Sequence, residues 1–417
     1  MRPMVWLIFS FKYALMKIVE VLDKVSQKHF INVVETIYQD DEAYIRPLDN
    51  SINEIFNPDE NTYFGHGKAT RFILIDNDQV IGRVAAFINY KKANGFDQPT
   101  GGMGFFECID NQDAAFKLFD TAKAWLEKHD MQAMDGPINF GENDNFWGLL
   151  VDGFSEPGFG MQYNPPYYQK FYEAYGFKTY FEQITNHLDL TVPFPERFWK
   201  IAGWVVKKDG FSFKHFSWRK EKQFLNDFET IYNNAWQYHE NFTAIDRDVL
   251  KASMRKAKSF MMEDLIWFAY HNGQPIGFVV LFPDVNQILK YFKGKMNWYN
   301  KLRFLWLKHK KVMTRARVVI LGVVPKFQRS GIESGLFWHL KGAVEQKAEL
   351  KELELSWVGD FNPKMRVLQE SMGAAFGKKH ITYRYIFNQK EEAKVRATSI
   401  PVDTKYSTEI ENNDNFQ

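Results

Sequence analysis

The 417-residue chain has a single cysteine, Cys108. It can form no internal disulfide and no cysteine-based zinc site. One thiol fits a reducing compartment, and a cytoplasmic location is expected. Charge of one sign is not in excess either: 53 Lys and Arg face 51 Asp and Glu, for a formal net charge of +2. Whole-chain charge therefore gives no sign of a nucleic-acid partner, and none is expected. No apolar stretch reaches the ~20 residues that cross a bilayer. The run from Pro3 to Phe11, between Arg2 and Lys12, is too short, and no A-x-A cleavage site follows it. The histidines show no H-x-x-x-H or H-E-x-x-H spacing, so no metal centre is expected. There is no Walker loop, no G-x-S-x-G elbow and no dinucleotide fingerprint.

What is present is an ordinary globular balance, 45% hydrophobic and 25% charged, with an unusual share of rings. Aromatics make up 17%, as 39 Phe, 19 Tyr and 12 Trp. Such side chains fill cores, line apolar clefts and populate membrane interfaces. A prior of ~150 residues per domain suggests two or three domains. Met16 opens a strand-like segment, so residues 1–15 read as an over-long gene start or, alternatively, an amphipathic anchor. Residues 391–417 mix charge, Asn, Ser and Thr without periodicity and read as a disordered tail.

The chain contains an internal repeat. Phe72 to Gly82 aligns without a gap on Trp267 to Gly277, each an apolar strand, an Asn-Asp or Asn-Gly turn and a second strand. Each hairpin is followed by a helical pattern. The first carries Phe116, Phe119, Ala122, Trp125 and Leu126, and the second Leu336, Phe337, Leu340 and Val344. Short strands follow at Ala133 to Ile138 and Leu353 to Val358. Each copy ends on a helix with a glycine where a left-handed stop is wanted, Gly176 and Gly373. The boundary is expected near Pro193 and Pro195, giving domains 16–192 and 193–390. Each copy carries one long insert, Phe140 to Asn164 in the first and Asp284 to Ala316 in the second.

The second copy holds the segment with chemical content. A β-branched strand through Leu321, Gly322 and Val323 runs into Gln328-Arg329-Ser330-Gly331-Ile332 and a helix. Free N–H groups at the helix start and a glycine that admits close approach make an anion site. Arg329 would add charge-assisted contacts.

This segment resembles the GCN5-related N-acetyltransferase (GNAT) superfamily, whose loop reads Gln/Arg-x-x-Gly-x-Gly/Ala between a strand and a helix. The resemblance implies an α/β fold of two tandem GNAT-like units, each a twisted mixed sheet flanked by helices. It implies that the amides of the loop bind the pyrophosphate of coenzyme A, and that Leu321 to Val324 binds its pantetheine arm as an added strand. Asn362 matches the family's Asn before the final helix. More narrowly, Gly136-Pro137-Ile138-Asn139, Asn143-Asp144 and Asn164-Pro165-Pro166-Tyr167-Tyr168 resemble a bacterial tandem-acetyltransferase group that includes ceramide-synthase-like proteins.

Three departures qualify the match. Glu333 stands where the family has Gly or Ala, and Ser330-x-x-Glu333 forms a capping-box pattern. A donor carried by acyl carrier protein, with its single phosphodiester, is therefore an alternative to acyl-CoA. Gln369 stands where the family often has a Tyr general acid. The first copy keeps the Tyr, Tyr172, but has no Gln-x-x-Gly loop: it passes from Cys108 through acid-rich Asp110 to Asp113, which suits helix capping rather than phosphate. It reads as a degenerate partner that shapes the substrate side, with Asn143, Asp144, Asn164, Tyr167, Tyr168 and Tyr172 as substrate contacts.

Candidate bases for a thioester aminolysis are Asp360, His239 and Glu240, each of which also fits a capping or surface role. Cys108 reads as a small buried strand residue rather than a nucleophile. The first insert reads as a polar, aromatic lid or as a loop packed on its own rings. The second insert is basic, acid-free after Asp284 and rich in Trp and Tyr. It fits a membrane surface, an acidic carrier protein, the phosphates of coenzyme A or a solvated helix pair. The function expected is N-acyl transfer from a thioester to a primary amine, with a lipid or sphingoid-base acceptor suggested by the aromatics. The alternative is a non-catalytic acyl-thioester or lipid-binding module.

Overall fold

The computed structural model describes residues 16–95, 98–141, 145–236, 244–245, 247–328 and 330–388. The expected N-terminal extension and C-terminal tail lie outside them. The strands are β1 (Lys17–Glu20), β2 (Gly67–Asp76), β3 (Gln79–Asn89), β4 (Thr100–Cys108), β5 (Ala133–Gly136), β6 (Leu149–Asp152), β7 (Lys178–Asp189), β8 (Phe211–His215), β9 (Ile266–His271), β10 (Gln274–Pro283), β11 (Arg315–Val323), β12 (Glu352–Glu354), β13 (Val358–Gly359) and β14 (Ala375–Ile386). The longer helices are α1 (Lys24–Asn32), α2 (Gln112–Glu127), α3 (Tyr168–Tyr175), α4 (Glu196–Val205), α5 (Glu221–Trp236), α6 (Arg247–Ala257), α7 (Trp298–His309), α8 (Ile332–Glu345) and α9 (Pro363–Ser371).

Two compact units result. The first holds the described residues of 16–183, 289–302 and 378–388, and the second those of 184–288 and 303–377. In the first unit β1, β2, β3 and β4 pair antiparallel in sequence order, and β5 joins β4 in parallel. In the second, β8, β9, β10 and β11 pair antiparallel, and β12 joins β11 in parallel. The same order in both units is the repeat made visible. Residues 378–386 of β14 pair with β5 and β6, whereas residues 187–189 of β7 pair with β12. The closing strand of each copy therefore completes the sheet of the other unit. The first half of α7 also sorts with the first unit.

Local chemistry explains the repeated parts. Asn77 and Asp78 have φ of 45° and 63°, and Asn272 and Gly273 have 48° and 81°. Two consecutive positive φ values make the turn whose twist matches that of antiparallel strands. Gly176, at φ 109°, and Gly373, at φ 94°, stop α3 and α9 as expected. The Asn111 side chain caps α2, its Oδ1 accepting the Ala114 N–H at 3.1 Å. Helix α2 buries Leu118, Phe119, Ala122 and Leu126 against β3 and β4, and α8 buries Leu336, Phe337, Leu340 and Val344 against the second sheet. Complete burial of one such ring or branched chain contributes about 1.5–3 kcal/mol. Among the described residues no helix is long and apolar enough to cross a membrane.

Two forks and a candidate thioester site

Each unit contains a pair of parallel strands that separate. β4 and β5 pair only at Thr100, Gly101 and Gly102, and β11 and β12 only at Arg315, Ala316 and Arg317. Beyond these rungs β4 and β11 continue for six residues, still paired on their other side. Both have a register shift there, between Arg83 and Ala85 on β3 and between Val280 and Leu281 on β10. An irregularity of this kind raises local twist and turns a strand away from its neighbour. In the first unit Phe105 takes φ 51° at the distortion. The forks are equivalent in register: Cys108 lies opposite Gly82, and Val323 opposite Gly277.

The first fork is filled by its own chain. A Cβ on Gly104 would lie 1.8 Å from the Ile138 carbonyl oxygen, so strand and chain touch backbone to backbone. The Cys108 N–H donates to Tyr168 Oη at 2.7 Å, and the Tyr167 hydroxyl donates to the Cys108 carbonyl at 2.9 Å. The Tyr168 hydroxyl in turn donates to Glu107 at 2.9 Å, alongside Tyr38 at 2.7 Å, and Arg83 lies 3.4 Å from the other carboxylate oxygen. Burial holds the Glu107 carboxyl above its ordinary range despite these partners, and it pushes the Tyr38 and Tyr168 hydroxyls well up. The Cys108 thiol is fully buried and likewise pushed up by burial, as expected of a strand residue rather than a nucleophile.

The structure places four of the six substrate contacts expected in this unit. Asn143 and Asp144 lie outside the described residues. Asn164 is fully buried and bonds the backbone of Leu150 in both directions, at 2.8 and 3.1 Å. Tyr172 is enclosed in the aromatic core with Phe106, Phe119 and Phe177. Tyr167 and Tyr168 close the fork. In the described part of the first insert Trp147 is fully buried, and β6 pairs with β14 as part of the sheet. A buried polar residue near an insert gives the same sequence signal whether its partner is a ligand or the chain itself.

In the second fork the end of β11 turns one N–H away from β10. The Val324 N–H bonds the Ile276 carbonyl at 2.9 Å across to β10. Alternation along a strand then directs the Val323 N–H the other way, into the fork. The Val323 carbonyl accepts from the Gln328 side chain at 3.2 Å. Leu321 is half-buried at this edge. The ring of Trp236, the last residue of α5, covers Gly322, where a Cβ would come within 2.6 Å of it. Trp236 stacks on Tyr232 at 4.8 Å, and Phe228 stacks on Phe278 at 4.2 Å, forming an aromatic wall beside the strand.

Past the fork, Gly331 takes φ 81° and leads into α8, whose first residue Ile332 is buried. Arg329 lies outside the described residues. The expected capping box does not form: no side chain caps α8, and the Ser330 hydroxyl donates to the Phe327 carbonyl at 2.6 Å. Gly331 at the cap position orients the turn so that Ser330 falls one residue short. The Glu333 carboxylate accepts its own backbone N–H, so one first-turn donor is taken and the others are left for an anion. Glu333 stands in this first turn, and burial raises its carboxyl to about 7.

At the root of the fork is a charged pair that sequence reasoning missed. Arg317 and Glu354 are the last paired rung, with the Arg Nε 3.2 Å from a fully buried carboxylate. Beside them Arg315 pairs with buried Asp284 at 2.6 Å. The signal was present as Arg315-Ala316-Arg317 and Glu352-Leu353-Glu354, charges at every second residue of otherwise apolar strands. Of the expected bases, His239 and Glu240 lie outside the described residues, and Asp360 is half-buried just before α9. Asn362 caps that helix, accepting the Met365 N–H at 3.2 Å. Gln369 is buried and bonds Asn186 at 2.8 Å within the second unit. A separate open hollow of about 750 Å³ lies between α4 and the C-terminal half of α8 and includes none of the fork residues.

No family model matches the chain. Over 369 residues it is 28% identical to the bacterial ceramide synthase of Caulobacter vibrioides, covering 86% of this chain and 93% of that protein. It is 25% identical over 392 residues to protein YghO of Escherichia coli, covering 92% of this chain and 99% of that one. A tandem GNAT protein from the clavulanic acid biosynthesis pathway superposes with a TM-score of 0.54 at 11% identity, over 90% of this chain and 100% of that one, a likeness of fold. With one strand order repeated in two units and a fork in each, the chain has the fold of the tandem GNAT protein, and along most of its length it is similar in sequence to the two bacterial proteins.

Proposed function

We propose that the chain is an N-acyltransferase whose second unit binds an acyl thioester and passes the acyl group to a primary amine. The observation that carries this reading is the open fork: a strand edge with the Val323 N–H directed into it, ending at the uncapped start of α8. An extended pantetheine arm fits a free strand edge, and a diphosphate fits a helix start with free donors. The amine nitrogen would attack the thioester carbonyl, forming the C–N bond. The Val323 N–H would stabilise the oxyanion, and the C–S bond would then break. The amine proton would pass to a base, and the thiolate would leave protonated. Asp360, half-buried just before α9, is the carboxylate we assign to accept that proton.

The aromatic wall of Phe228, Tyr232 and Trp236 beside the strand supports an apolar chain on donor or acceptor. Similarity to a protein named bacterial ceramide synthase supports a long-chain amine such as a sphingoid base. Acyl-CoA is the donor favoured, with a carrier-protein thioester as the variant. The test is free-thiol release from acyl-CoAs of graded length in the presence of a sphingoid base, with Asp360→Asn assayed across pH. Amide formation that is lost in Asp360→Asn with thioester affinity kept supports the reading. A folded protein that forms no amide from any of these donors contradicts it.

One feature favours the alternative, a non-catalytic binding module: Glu333 puts a carboxyl in the first turn of α8, where a phosphate would bind. If Glu333→Ala gains thioester affinity while neither form turns over, the fold binds without catalysing.

A further inference from the structure

We propose that α7 docks this protein on an anionic bilayer surface, lying in the plane of the interface. The helix has two apolar faces. Asn300, Phe304 and Leu307 are turned inward, each 8% exposed. At 100° per residue, Trp298, Leu302, Leu305 and Trp306 cluster on the opposite side. They are 75%, 58%, 56% and 57% exposed, and Tyr299 beside them is 59% exposed. Large apolar side chains on a monomer surface are ordinarily scattered singly. Here five fall on the outward face of one helix.

Charge decides what covers that face. Lys301 and Lys308 flank it on one side, and Arg303 and Lys310 on the other. From 285 to 316 the sequence contains no Asp or Glu. Trp and Leu on the outward side between rows of Lys and Arg is the pattern of a helix whose apolar face enters the headgroup boundary. The helix is also held in place. The Asn297 side chain accepts the Asn300 N–H at 2.9 Å, and the Asn300 side chain donates to the Lys295 carbonyl at 2.7 Å. An acidic carrier protein would satisfy the cations but would leave Trp298 and Leu302 facing water. The inference rests on the helix and stands independently of the acyl-transfer reading.

The test is flotation of the full chain with vesicles of phosphatidylcholine alone and of phosphatidylcholine with phosphatidylglycerol. Two variants accompany it: Trp298→Ser with Leu302→Ser and Trp306→Ser, and Lys301→Glu with Lys310→Glu. All these residues are exposed, so far-UV circular dichroism and Tm should match the parent. The parent should partition to anionic vesicles, the apolar variant on the order of tenfold less to either, and the charge variant less to anionic vesicles only. Quenching of tryptophan fluorescence by brominated lipid should fall in the apolar variant. A parent that stays with the soluble fraction, or variants that float like it, would overturn the proposal. So would binding of acyl carrier protein that depends on α7 with no vesicle binding. Turnover of short-chain thioesters in vesicle-free buffer should be unchanged in both variants, which separates this inference from the function proposed above.

Discussion

The two forks differ in what stands in them. The first is closed by Ile138 against Gly104 and by two tyrosine hydroxyls on the backbone of Cys108. The second has the same strand pairing and turns the Val323 N–H away from β10 into the fork. One frame, repeated, has thus become a scaffold in one unit and a candidate binding edge in the other. The change did not need a new fold. It needed side chains that take over the hydrogen bonds a ligand would make, since a buried strand edge without partners is costly.

The comparison can be broken by exchanging the properties of the forks. The largest effect is expected from Val323→Pro, which removes the donor aimed into the second fork without removing a bond to β10. Loss of one oxyanion donor lowers kcat by about 10²- to 10³-fold, to be read by thiol release with circular dichroism as the fold control. Cys108→Ala, at the matching register position of the first fork but with its N–H kept, should leave turnover unchanged.

Tyr168→Phe should act in the opposite sense. It leaves the Cys108 N–H and one Glu107 contact unmatched, at a cost of about 2 kcal/mol. Denaturant unfolding should report that loss, while thioester affinity stays within error.

Glu333 sharpens the comparison through pH. Its carboxyl is raised to about 7 by burial, so it is ionised above that value and repels a phosphate. Affinity for coenzyme A should therefore fall as pH rises through 7, by at most about tenfold per unit, and Glu333→Gln should flatten this component. The stability sign follows from the same shift. A carboxyl raised in the folded state favours folding below its unfolded value, and that contribution is lost as pH rises through about 7.

The smallest contrast lies between two helix starts in the second unit. Asn362→Ala removes a formed cap and should cost about 1 kcal/mol, whereas Ser330→Ala removes no cap and should cost under about 0.5 kcal/mol.

Much of this was legible in the sequence because it is local. The Asn77-Asp78 and Asn272-Gly273 turns, the Gly176 and Gly373 stops and the apolar faces of α2 and α8 depend on residues a few positions apart. What escaped depends on partners far along the chain. Tyr168 reads as a substrate contact until Cys108, 60 residues away, is found against it. Residues 378–386 read as the end of the second copy until β5 is found as their partner. Ser330 and Glu333 have the spacing of a capping box, but the left-handed Gly331 between them sets a different turn. The charge alternation at Arg315 to Arg317 was visible, yet nothing local says that it marks the last rung before a fork.

The most direct test of the central claim is the number of thioester sites per chain. Calorimetric titration with a thioether analogue of a long-chain acyl-CoA, which cannot turn over, should give one site. That site should be lost when Val323→Pro is combined with Gly331→Val, and kept in Tyr168→Phe. Two sites, or one site that survives the double substitution, would contradict the assignment of binding to the second fork.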